Sequence, residues 1–268
     1  MLSRTLGFLV LAAGSLPAHA PAAPALEVAV EDAAALWSRG DGTGFANDVV
    51  RAAFHAAGIE VAFRVVPYAR CKQMVRQGAV AACFSMSRDP DLKGSVLFPS
   101  VPIFTCYADL FLDPKHPLAG AHLRDLPRGT VVGTVLSYEY PDEVRKAVKS
   151  GAIVLDESPT EQMLLRKLAA GRLPAAIFNV NDAKSIAYLS ALAHVPNTAV
   201  RVDRVGVLQS YLGFSVKHPR GAESLKKFEE GLRRIGGDGT LAEISRRWAD
   251  TSRRVVAAAT SETARPRP

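Results

Sequence analysis

The chain has 268 residues, 48% of them hydrophobic, and 33 Lys and Arg against 26 Asp and Glu give a formal charge of +7. That length suffices for two modest lobes or one large domain. The basic residues are spread without a clustered stripe or interleaved aromatics, so the charge does not point to nucleic acid as a partner.

Arg4 supplies a positive n-region, Leu6 to Leu11 an apolar h-region and Ala18-His19-Ala20 a small-residue cleavage site, so residues 1–20 read as a secretory signal. The apolar stretch is much shorter than the roughly 20 residues a membrane span needs. No Cys follows it, which argues against a lipid anchor. A mature chain starting near Pro21, soluble and exported to the periplasm, is expected.

Leu26 to Val30 reads as a first strand, and "RGDGTG" as a turn, since no Gly-Lys-Ser/Thr follows to make it a phosphate loop. "ANDVVRAAFHAAG" sets Val49, Val50, Ala53, Phe54 and Ala57 on one helical face and stops at Gly58. "IEVAFRVV" alternates as a strand, and "YARCKQMVRQG" is a short helix ending at Gly78. Val80 to Phe84 then form a buried strand that turns polar at Ser85, Ser87 and Arg88. This β-α-β-α-β order is the grammar of a parallel sheet with covering helices.

Three cysteines, Cys71, Cys83 and Cys106, remain after export. One pair plus one free thiol is the simplest count in an oxidising compartment. Cys71 opens the short helix and Cys83 ends the strand beside it, so they can form a disulfide; buried unpaired thiols are the alternative. No spacing resembles a zinc site, and neither metal nor cofactor is expected.

The pattern recurs downstream. Val131 to Val135 reads as a strand, and Ser158-Pro159-Thr160-Glu161 as a capping box with Pro at the first helical position. "MLLRKLAA" continues that helix to Gly171, and "LPAAIFN" is a buried strand ending in Asn179, Asn181 and Asp182. "ESLKKFEEGLRRI" and "TLAEISRRWAD" are amphipathic helices, the second with a Thr240-x-x-Glu243 capping box. From Thr251 onward, few large apolar residues and a Pro-Arg ending read as a loose tail. Parallel α/β sheets bind ligands outside the carboxyl ends of their strands, so two sheets with polar strand ends suggest two lobes facing across a cleft.

The mature chain resembles the periplasmic solute-binding proteins of the polar amino acid type, which serve ABC importers. The resemblance runs from about Leu26 to Asp250 and rests on "GTGFANDVVRAAFHAAGIEVAFRVVPY", "LFPSVPIF", "RDLPRGTVVGTVLSYEY", "AGRLPAAIFN" and "RIGGDGTLAEISRRWAD", in that order and spacing. It implies a type II periplasmic-binding-protein-like α/β fold of two lobes. Each is a mostly parallel sheet flanked by helices, and two hinge strands join them. Lobe one would be residues 26–110 and 211–250, lobe two 111–210, and 251–268 a flexible tail. Such proteins close on a solute by hinge motion.

The chain departs from the family pattern where α-amino acids are held. The family's carboxylate-binding Arg has its place at Leu92, with Arg88 or Lys93 as substitutes nearby, and Asn179 stands where the family has an Asp for the amino group. An ammonium buried without its counter-charge costs roughly 3–5 kcal/mol. Free α-amino acids are therefore disfavoured, and an anion or an uncharged polar solute is expected. The candidate ligand-binding residues are Trp37 and Tyr68 as an aromatic floor, Arg70, Ser85, Ser87, Arg88, Asn179, and Ser137 and Tyr138 at a strand-to-helix junction.

Three functions fit this sequence. The first is a monomeric, non-enzymatic protein that hands a small solute to an inner-membrane ABC permease. The second is an enzyme on the same fold, as in the cyclohexadienyl dehydratases it resembles, with Glu139, Glu157 or Asp182 as acid or base. The third is a ligand-binding sensory module for a membrane receptor. No carboxylate spacing marks a catalytic pair, and the six His form no metalloprotease motif or readable triad, which favours the first.

Overall fold

A computed structural model describes residues 24–263 apart from 116, 117, 119 and 121; the signal read over 1–20 lies outside them. The first half builds β1 (Leu26–Glu31), α1 (Phe45–Ala56), β2 (Val61–Val66), α2 (Tyr68–Gln77), β3 (Ala82–Met86) and the two-residue β4 (Val96–Leu97). β1 lies between β2 and β3 and is parallel to both, with Leu26 opposite Val61 and Val28 opposite Ala82. Gly78 ends α2 in the left-handed conformation at φ 82°, which a residue with a Cβ adopts only under strain.

The long strand β5 (Phe104–Leu112) leads into the second half. There β6 (Thr130–Val135), α3 (Asp142–Lys149), β7 (Ile153–Ser158), α4 (Glu161–Ala169), β8 (Ala175–Val180) and α5 (Ile186–Ala193) repeat the parallel arrangement, β6 pairing with both β7 and β8. The 16-residue β9 (Val200–Ser215) returns beside β5, from Leu112 opposite Val200 to Phe104 opposite Ser210. Its far end pairs with β3 and β4. β5 and β9 thus tie two α/β halves together, each a mostly parallel sheet flanked by helices. α6 (Gly221–Gly237) and α7 (Thr240–Thr263) close the chain.

The largest core cluster follows from the amphipathic faces read in the sequence. α1 buries Val49, Val50, Ala53 and Phe54 completely, and Phe54 meets Phe228 of α6 and Phe214 of β9 at ring-centroid distances of 5.5 and 6.4 Å. α6 approaches α1 closely at Gly231, where a β-carbon would come within 1.7 Å of the Ala53 carbonyl oxygen.

Cys71 of α2 and Cys83 of β3 form a disulfide, leaving Cys106 free and buried. The bridge closes a short ring between a helix and the strand it covers. Replacing both by Ala is expected to cost about 3 kcal/mol of unfolding free energy in urea, the loop-closure entropy of a ring of this size. A loss below about 0.5 kcal/mol would show that the pair is not bridged in solution or that the unfolded chain gains nothing from its release.

Three details differ from the sequence reading. The capping box at Ser158 is displaced: Ser158 ends β7, and Thr160 is the N-cap of α4, its Oγ1 accepting the Met163 N–H at 3.2 Å. At α7 the side chain that accepts is Asp238, from the Thr240 N–H at 2.9 Å, so Thr240 is already inside the helix. The loose tail expected from Thr251 is helix as far as Thr263. One turn of it docks, with Ser252 Oγ donating to the Ala183 carbonyl and Val255 and Val256 packing on the main core, and alanine-rich sequence carries the helix onward.

Candidate functional site

Between the two halves, where β1, β3 and β6 end, lies a cavity with an empty volume of about 340 Å³. Its lining comprises Glu31, Trp37, Tyr68, Ser85, Ser87, Phe104, Cys106, Tyr138, Glu139, Asn179, Leu208 and Ser210. Six of the nine sequence candidates meet here: Trp37, Tyr68, Ser85, Ser87, Tyr138 and Asn179.

Each is positioned by local structure. Trp37 follows β1 in a loop where Leu36 takes φ 73°, and the start of α1 clasps that loop, the Phe45 and Ala46 N–H groups donating to the Leu36 and Trp37 carbonyls. A β-carbon at Gly44 would lie 2.4 Å from the Trp37 carbonyl oxygen, so glycine is required for the clasp. Trp37 stacks on Phe104 with centroids 4.3 Å apart. Tyr68 opens α2, and Lys72, one turn later, stands on the same helix face. Ser137, at φ 65°, turns the chain after β6 so that Tyr138 and Glu139 face α2 and β1.

Polar contacts bridge the halves. Tyr68 donates its hydroxyl to Glu139 Oε2 at 2.7 Å, and Lys72 Nζ reaches Glu139 Oε1 at 2.9 Å and the Ser137 carbonyl at 3.0 Å. Tyr138 donates to Glu31 Oε1, and its ring meets Tyr68 edge-on at 5.5 Å. Burial pushes the Glu31 carboxyl up to about 8 against the pull of Tyr138. Burial also raises Glu139, with Lys72 opposing it. Both phenols are raised well above their usual value, chiefly by burial, so they remain hydrogen-bond donors at neutral pH. Burial pushes the Cys106 thiol up to about 12, which keeps it protonated and unreactive.

Behind Trp37, Lys184 and Glu161 form an ion pair at 2.6 Å with side chains 0% and 1% exposed, and Lys184 Nζ lies 3.6 Å from the Trp37 ring centroid. Burial raises the Glu161 carboxyl, and Lys184 opposes the shift.

Three lining atoms are buried and find no hydrogen-bond partner among the described residues: Ser85 Oγ, Asn179 Oδ1 and Ser210 Oγ. Buried polar atoms are nearly always paired, because an unpaired one costs about 1–3 kcal/mol. Three around one cavity mark a place where the missing partners belong to something else.

Three sequence candidates lie elsewhere. Arg88 is exposed, donating to the Pro99 carbonyl at 2.9 Å with its guanidinium 4.7 Å from the Tyr211 ring centroid. Arg70 pairs with Gln73 on the exposed face of α2, and Ser137 contributes its carbonyl to Lys72 without lining the cavity. Lys93 is exposed, and Leu92, in the family Arg's place, is core. Arg88, the candidate for holding a carboxylate, does not line the cavity, whereas Asn179, whose replacement of the family Asp led to the expectation of an anionic or uncharged solute, does. Arg88→Ala is expected to change ligand affinity by less than about twofold in calorimetry, since a tenfold loss, about 1.4 kcal/mol, needs a lost contact.

The model of the bacterial extracellular solute-binding proteins, family 3, matches residues 26–251. The chain belongs to this family. A sequence comparison with curated proteins gives no match. Among solved structures, the chain is similar to a histidine kinase sensor domain with similarity to periplasmic binding proteins, at 20% identity and TM-score 0.70, covering 84% of this chain and 95% of that one. It is similar to an ancestral arginine-binding protein bound to arginine, at 19% identity and TM-score 0.69, covering 84% and 97%. The arginine-, lysine-, histidine-binding protein ArtJ from Geobacillus stearothermophilus follows at 18% identity and TM-score 0.68, covering 84% and 95%. These likenesses identify the fold as the type II periplasmic-binding architecture; at such identities they say nothing of the ligand.

Glu31, Phe104, Cys106, Leu208 and Ser210 were not site candidates in the sequence, and Glu139 was weighed there only as a possible acid or base. Glu31 carried a usable signal, being the polar end of a buried strand like Ser85. The other four come from β5 and β9, where the pairing of Cys106 with Leu208 and Phe104 with Ser210 sets what faces the cleft.

Proposed function

We propose that this family 3 protein is an exported, non-enzymatic solute-binding protein that captures a small polar solute between its two halves and delivers it to an ABC importer. The observation that carries the reading is the set of unpartnered buried atoms, Ser85 Oγ, Asn179 Oδ1 and Ser210 Oγ, around one cavity walled by Trp37, Tyr68 and Tyr138. A solute supplying their hydrogen bonds removes their desolvation cost and draws the halves together. The carboxylates weighed as catalytic do not converge. Glu139 is held by Tyr68 and Lys72, while Glu157 and Asp182 lie outside this lining.

A thermal-shift screen of the mature chain across amino acids, organic acids, amines and sugars tests binding, since a ligand at 100 times its Kd adds roughly 2.7 kcal/mol to the folded state. Cellular uptake of the hit, lost on deleting the gene and restored by the wild-type chain, tests delivery. A screen without a hit defeats the binding reading. A hit whose uptake is independent of the protein defeats the transport reading and favours a sensory role. Turnover of the hit defeats the non-enzymatic one.

A further inference from the structure

We infer that the cleft selects a small organic cation carrying no carboxylate, with its positive group set against Glu31. This rests on the solute-binding reading above and names the class of solute.

The charges of the lining carry the argument. It contains two carboxyls, Glu31 and Glu139, and no Arg, Lys or His. Glu139 has its counter-charge in Lys72, and the buried Glu161 behind the wall has Lys184. Glu31, 4% exposed, has a phenol for a partner and, among the described residues, no cation within ion-pair distance. A buried carboxyl without a cation favours any ligand that supplies one.

The remaining groups agree. Asn179 Oδ1 is an acceptor lacking a donor among the described residues, and Glu31 and Glu139, once ionised, have no donor of their own to offer. Trp37, Tyr68, Tyr138 and Phe104 supply aromatic rings, whose negative faces attract cations; Lys184 at Trp37 and Lys72 at 5.4 Å from the Tyr68 centroid already use two of them this way. A carboxylate would find no guanidinium fork, since Arg88 and Arg70 are engaged elsewhere and Leu92 is core. It would enter a desolvated site beside two acids. The contacts of Tyr138 with Glu31 and of Tyr68 and Lys72 with Glu139 leave little room between the halves, which limits the solute to a small one.

Binding is then coupled to a proton. The charged and titratable groups around Glu31 are Tyr138 after β6, Glu161 of α4, Lys184 before α5, Asp32 next in sequence and Tyr68 of α2. Without a cation, burial holds Glu31 protonated up to a pH of about 8. A bound cation lowers that value, so below it binding releases a proton and affinity rises with pH; above it the dependence vanishes.

Calorimetry with two pairs of probes tests this: agmatine against arginine, which adds a carboxylate, and choline against betaine, in which a carboxylate replaces the hydroxymethyl group. Succinate and glucose serve as anionic and neutral probes. The cation of at least one pair is expected to bind about tenfold or more tightly than its partner. In buffers of different ionisation enthalpy it should release up to about one proton near pH 6 and progressively fewer as pH rises through about 8. Glu31→Gln should remove that proton release and weaken the cation about tenfold. The proton count on the wild-type protein stands even if this variant misfolds. Arginine, betaine, succinate or glucose binding as tightly as any cation, a cation that binds without releasing a proton near pH 6, or no cation binding at all overturns the assignment. Any hit among the other solutes then leaves the solute-binding reading intact, whereas silence across the whole thermal-shift screen removes both.

Discussion

Lys184→Met is expected to lower the unfolding free energy by roughly 3–5 kcal/mol, because it strands a buried carboxylate. Lys184 and Glu161 are 0% and 1% exposed, and Glu161 Oε2 already lacks a hydrogen-bond partner among the described residues, so no second protein donor is placed to compensate. Lys184 also loses its contact with the Trp37 ring. The pair itself contributes little, since the desolvation of two charges offsets most of their attraction. The double variant Lys184→Met, Glu161→Gln should therefore recover most of the loss. Urea denaturation of the two single variants and the double one reads the coupling directly. A single variant costing less than about 1 kcal/mol would mean that Glu161 is already protonated and the pair is not ionic.

Gly231→Ala sets helix propensity against packing, and packing is expected to win. Alanine is favoured over glycine inside a helix by about 1 kcal/mol. At Gly231, however, the added carbon would lie 1.7 Å from the Ala53 carbonyl oxygen and 2.6 Å from its carbon. Those are backbone atoms of α1, and no rotamer change relieves them. α6 must withdraw from α1, opening the contact that buries Phe54 against Phe228. The expected net loss is about 3 kcal/mol or more, the upper end of overpacking costs. Gly236→Ala is the control: in the same helix, with nothing within 4 Å of the added carbon, it should stabilise by roughly 0.5–1 kcal/mol. A stabilised Gly231→Ala variant would show that the two helices are not in contact as described.

How far the sequence revealed this molecule depended on the range over which each feature is determined. Gly58, Gly78 and Gly171 punctuate helices by local backbone conformation, and the elements around them lie close to where the periodicity of "ANDVVRAAFHAAG" and "YARCKQMVRQG" puts them. Strand-end logic found Ser85, Ser87 and Asn179 because polarity after an apolar run is visible along the chain. It overlooked Glu31 because "LEVAV" looked complete without its last residue. Phe104 and Ser210 were out of reach, since they meet across strands 106 positions apart in sequence. Arg88 failed for a related reason: proximity to Ser87 says nothing of direction, and the guanidinium turns to Tyr211 and Pro99.

The contacts of Tyr138 with Glu31, and of Tyr68 and Lys72 with Glu139, have a consequence for how affinity is read. These groups already partner one another across the halves, so a molecule bound to them swaps partners instead of adding bonds to idle ones. A Kd measured on this protein is then net of that exchange. Severing the grip of Tyr138 on Glu31 by Tyr138→Phe loosens the resting state and frees Glu31 at one stroke.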